Sequence, residues 1–139
     1  MGSENAPVFI DVIGIGSSVY DHLKVLGKID VTPVNVGSGS TDTDKTGRYT
    51  FFNLRSQIIW KFREALDPAS GENIVLPVDP QLRQDLRAAR FQIVSGKIKI
   101  EEKKDIKKRI GRSPDRGDVV VLTWFGATMG GEKWEAMVA

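Results

Sequence analysis

Cysteine is absent from this chain of 139 residues and histidine occurs once, as His22. The first absence removes disulfides and thiolate metal sites together. With a single histidine, carboxylates are left as the main side chains able to ligate a metal. No apolar run is long enough to span a bilayer, and the opening stretch from Met1 to Pro7 has neither a basic cluster nor an apolar core. Neither a signal peptide nor a transmembrane helix is therefore read in it, and a cytoplasmic setting is expected. Gly37-Ser38-Gly39 is not followed by Gly-Lys-Ser/Thr, so no Walker A loop is present and ATP hydrolysis is not expected. Gly14-Ile15-Gly16 lacks the third glycine of a dinucleotide fingerprint, since Val19 stands there, and no acidic residue follows at the distance that would hold a ribose. Net charge is also small, at +2.

What is present fits one globular domain spanning residues 1 to 139. Forty per cent of the residues are apolar and 27% are charged, which is neither a disordered nor a membrane composition. Val8 to Ile13 is a β-branched apolar run and predicts a buried strand interrupted by Asp11. The Gly14 to Ser18 break then leads into a helix with Val19, Leu23 and Leu26 on one face, stopped by Gly27. Ile29 to Val36 predicts a short second strand, and the Gly, Ser, Thr and Asp content of residues 37 to 47 predicts a mobile loop. Asn53 should cap a helix whose stripe is Ile58, Ile59, Phe62, Ala65 and Leu66, ended by Asp67-Pro68. Asp79-Pro80 should open another, running to about Ala89. Phe91 to Val94 and Lys97 to Ile100 predict a hairpin turning at Ser95-Gly96. Lys103 to Ile110 predicts an amphipathic helix closed by Gly111, and Ser113-Pro114 the start of a last one. Val119, Val120 and Val121 conflict with that helix, because three β-branched residues in a row favour a strand.

The candidates for chemistry are acidic. Asp11, in an apolar strand, needs a metal, an exposed strand end, or backbone amides to bond. Asp115 and Asp118 lie three apart and would share one helix face. They serve either as favourable charges at a helix N-terminus or as hard oxygen ligands that, with Asp11, hold Mg²⁺ or Mn²⁺ for nuclease chemistry. Between Lys97 and Arg112, eight Lys or Arg face Glu101, Glu102 and Asp105. That excess suits a phosphate backbone, or equally a solvated helix face. Tyr49, Phe51 and Phe52 are read either as base-stacking groups or as core, and His22 has no nucleophile set beside it.

Taken in order, Asp11-Val12-Ile13-Gly14-Ile15-Gly16 with Asp21 and Leu23, Val34-Asn35-Val36, Asn53-Leu54-Arg55 with Trp60, and above all Lys97-Ile98-Lys99-Ile100-Glu101 through Gly111-Arg112-Ser113-Pro114-Asp115 to Asp118 resemble successive blocks of the nuclease domain of phage terminase large subunits. The resemblance covers residues 8 to about 125. It implies an α/β, ribonuclease-H-like mixed sheet flanked by helices, and a two-metal endonuclease that cuts concatemeric double-stranded viral DNA. Asp11 and Asp118 match metal ligands of the family, with Asp115 close by. Lys97, Lys99, Lys103, Lys107, Lys108 and Arg109 would face the DNA, and other terminase or portal components would be partners. The family's first ligand lies well upstream of the position of Asp11, where this chain offers only Glu4, and no ATPase motor precedes it. The resemblance therefore implies the C-terminal portion of the domain, with sheet edges open to self-association. A non-catalytic DNA-binding or assembly module and a junction resolvase are the alternatives. Gly117 stands where the family usually has alanine, at an expected cost of about 1 kcal/mol inside a helix.

Overall fold

A computed structural model describes the backbone of residues 7 to 138 and the side chains of residues 7 to 128. Glu4 lies outside the described residues. The chain is mixed α/β: its described strands form two small sheets, accompanied by five α-helices. β1 (Val8–Asp11), α1 (Ile15–Leu26) and β2 (Val31–Val34) make a strand, helix, strand unit with β1 and β2 parallel, Val8 opposite Val31. β1 ends two residues earlier than the apolar run predicts, because the Asp11 carboxylate turns back to accept from the Ile13 amide at 3.0 Å. α1 ends as expected, on a left-handed Gly27.

β3 (Thr50–Phe51), β5 (Lys97–Ile100) and β4 (Phe91–Val94) form the second sheet, with β3 parallel and β4 antiparallel to the central β5. One continuous sheet would need the chain after β2 to join this ladder. Instead the Val36 and Ser38 carbonyls accept from the Arg55 and Leu54 amides, both at 2.8 Å, and so satisfy the first turn of α2 (Leu54–Ala65). The Asn53 side chain caps the same helix through the Ser56 amide, and the Ser56 hydroxyl accepts from the Ile100 amide at 3.1 Å, which ties α2 to β5. The loop expected to be mobile is pinned by the buried Asp44, whose carboxylate accepts from the Arg48 and Tyr49 amides and the Thr46 hydroxyl.

α3 (Pro80–Ala88) starts on the Asp79 cap, the hairpin turns on Ser95 and Gly96, both at positive φ, and α4 (Lys103–Ile110) closes on Gly111. α5 (Asp115–Val138) begins one residue after the expected Pro114, and the three valines are helical. Tertiary context overrides propensity there: Val121 is buried beside Leu54, Ile58, Phe62 and Phe125, while Val119 stays exposed. α5 reaches the first unit where Phe9 lies against Gly126, so closely that a Cβ on Gly126 would fall 2.3 Å from its ring. No described helix is long and apolar enough to cross a membrane.

Candidate active site

The first turn of α5 is held from outside. Asp85, on α3, has a side chain with no solvent exposure, and its carboxylate pairs with the Arg112 guanidinium while accepting from the Arg116 amide at 3.1 Å and the Gly117 amide at 3.3 Å. These amides belong to the N-terminal turn, which has no partners within the helix, so Asp85 acts as a cap supplied by another helix. A second clasp joins Arg116 to Asp79. Ser113, the expected cap, instead donates its hydroxyl to Asp115 at 2.6 Å. Gly117 belongs in this contact: a Cβ there would come within 2.9 Å of Asp85 Cβ. It therefore sits in the first turn, against α3, and the expected interior penalty is replaced by a requirement for close approach.

This turn presents Asp115 and Asp118 together. The Lys103 ammonium bridges them, 2.9 Å from Asp115 Oδ1 and 2.7 Å from Asp118 Oδ2. Burial works against the charged lysine, yet its bonds to Asp118 and then Asp115 outweigh that and hold its pKa above the ordinary value. Asp115 is held low by the Ser113 hydroxyl first and by Lys103 second.

Asp11 sits exposed at the end of β1, where the first turn of α1 crowds it: a Cβ on Gly16 would fall 1.7 Å from the Asp11 carbonyl oxygen. This is a steric reason for one glycine of the Gly-x-Gly pair. Arg55, on α2, is the cation on which the charges of both candidate ligands act. That guanidinium is half-buried, donates to the Glu101 carbonyl at 2.7 Å, and is pushed below the usual arginine value by burial, against the opposing pull of Asp118, Glu102, Asp11 and Glu101 in that order. A cavity of about 750 Å³ between α2, α3 and α5 is lined by Arg55, Asp85 and Asp118, but not by Asp11 or Asp115.

The donor set suits a hard divalent cation in chemistry, since Asp11 and Asp118 each keep a second oxygen outside the bonds described. Among the described residues no group of three or more His, Asp or Glu side chains comes together as a ligand set.

The basic residues divide. β5 points Ile98 and Ile100 inward, so by alternation Lys97 and Lys99 face the other way, with the Lys99 ammonium 4.5 Å from the Phe52 ring centre. Phe51 is core, while Phe52 is exposed. Lys107 and Lys108 are exposed and form no ion pair among the described residues. Lys103 and Arg109 are engaged within the chain: Lys103 as above, Arg109 with Glu101 at 2.6 Å and with the Ala88 carbonyl at the end of α3. His22 is exposed on α1. Sequence reasoning missed Asp85 and gave Arg55 no role. Both partnerships form between segments about 30 to 60 residues apart, so no local spacing announces them.

No protein-family model matches the chain, and no curated protein and no solved structure matches it.

Proposed function

We propose that the chain is the C-terminal portion of a terminase-type nuclease domain of ribonuclease-H-like design, a metal-dependent endonuclease that cuts concatemeric double-stranded DNA during viral packaging. The observation that supports the reading is the pairing of Asp115 and Asp118 on the first turn of α5, bridged by Lys103, with Asp11 exposed at the end of β1 and, like Asp118, among the acids whose charge acts on Arg55. Asp11 and Asp118 would hold Mg²⁺ or Mn²⁺, and Lys103 would release the carboxylate oxygen it now occupies. When bound, such ions activate water and stabilise the leaving oxygen of a phosphodiester. Lys97, Lys99, Lys107 and Lys108 would hold the duplex by sequence-independent phosphate contacts. Asp85 and Arg55 would position the acids without touching substrate. The setting is the cytoplasm of a phage-bearing bacterium, with other terminase or portal components as partners.

Nicking of supercoiled plasmid by the purified chain tests this. Cutting is expected with Mn²⁺ or Mg²⁺, and not with EDTA or in the Asp118→Asn variant.

A second reading, a DNA-binding or assembly module without catalysis, is favoured by the lysine lodged between Asp115 and Asp118 and by the missing three-ligand group among the described residues. It predicts a folded chain that binds duplex and cuts nothing with either metal, its DNA affinity unaltered by Asp118→Asn.

A further inference from the structure

A groove of about 420 Å³ runs between α3 and the end of α4, lined by Arg83, Gln84, Arg87, Ala88, Ile110 and Arg112. Its wall holds three guanidinium groups and no carboxylate. Arg83 and Arg87 are four apart on α3, both exposed, so they share a helix face where like charges destabilise the helix. The nearby acids are committed elsewhere. Asp79 serves the first amides of α3 and pairs with Arg116, and Asp85 serves Arg112 and the first turn of α5. Among the described residues Arg83 and Arg87 form no ion pair. Arg112, by contrast, is fixed by Asp85, with Gln84 as a further acceptor at 3.3 Å, so it lines the groove from a set position. The last turn of α4 adds Lys107 and Lys108 to the same end of the molecule.

A concave surface with two uncompensated guanidinium forks and a third held in place is matched by an anion with several acceptor oxygens. We propose that this groove is a contact site for the phosphate backbone of duplex DNA, with Arg83 and Arg87 supplying the charge and Arg112 the fixed edge. The inference rests on the DNA-binding part of the function proposed above, and it extends the DNA-facing surface onto α3, beyond β5 and α4.

Fluorescence anisotropy of a labelled duplex across a salt series tests it, with wild type beside Arg83→Gln/Arg87→Gln and a charge-matched control, Lys24→Gln/Lys28→Gln, on α1 and the turn after it. Thermal melts establish that all three fold. The arginine variant is expected to bind about tenfold more weakly at moderate salt, with a log–log salt slope shallower by about 1 to 2, while the control stays close to wild type. If wild type binds and the arginine variant behaves like the control, the groove is not a DNA contact. If wild type binds no duplex at low salt, the DNA reading itself fails and this inference with it.

Discussion

α1 and α2 are helices of equal length, 12 residues each, and each follows a strand that pairs in parallel with a later one. They differ in what surrounds them. α2 lies between β5 and α5 and buries Leu54, Ser56, Gln57, Ile58, Phe62 and Ala65. Among the described residues α1 packs mainly on β1 and β2 and buries none, leaving Ile15 and Val25 both 86% exposed. An apolar stripe is enough to make a helix plausible, but burial needs a second layer, and only α2 has one among the described residues. The candidate site spans this contrast: Asp118 stands on the densely packed unit, and Asp11 at the tip of the lightly packed one.

The largest effect that separates the two helices is expected from Phe62→Ala, which empties a position only 2% exposed and should cost about 3 to 5 kcal/mol in urea denaturation. Val25→Ala should stay within about 0.5 kcal/mol. Equal losses would mean that α1 is covered in solution and that the contrast is not real. Asp85→Ala should come next, at about 2 to 4 kcal/mol, because it strands the Arg112 guanidinium and two first-turn amides of α5 together. Hydrogen exchange should show faster opening at the start of α5, with α1 unaffected. Protection spreading evenly over both units would sink the claim that Asp85 anchors α5 in particular.

Much of the fold was legible because many of its signals are local. Asn53, Asp79-Pro80, Ser95-Gly96 and Gly111 each complete their task within four residues, and each was read in its place. β3 was missed because Thr50 and Phe51 become a strand by pairing with the distant Lys97 and Ile98. Asp85 was missed for the same kind of reason: within α3 it reads as an ordinary helix acid, and only α5 reveals it as a cap. At the site, Asp115 and Asp118 were legible as a pair on one face. That Lys103 would bridge them was not, because the same ammonium reads in sequence as one more member of a basic run.

Gly117→Ala turns that lesson into a sign. Helix propensity alone predicts a gain of up to about 1 kcal/mol from replacing glycine. The new Cβ would press to within 2.9 Å of Asp85 Cβ, an atom with no freedom to swing aside, so a loss of about 1 to 3 kcal/mol is expected instead. A stabilised variant would show that α3 and α5 have room between them for a methyl group.

The smallest effect expected near neutral pH comes from the carboxylates of the larger unit. Asp44 is held low by the Thr46 hydroxyl and then the Tyr49 amide, Asp79 by the Leu82 amide, and Glu101 by Arg109. Because their folded pKa values lie below the unfolded ones, near 3.9 for Asp and 4.3 for Glu, these groups bind fewer protons when folded. Their stabilisation is therefore complete above about pH 5 and is lost as pH falls through the lowered folded values. Lys103, held above the ordinary lysine value, works with the opposite sign: its contribution persists until pH rises past about 10.4. Melting curves should thus be flat from pH 7 to 5 and fall below about pH 4, with α2 and α5 losing protection together. A midpoint that already drops between pH 7 and 5 would place the controlling protonation outside these three carboxylates, and the larger unit would not owe its acid stability to the loop and cap bonds that distinguish it from the first.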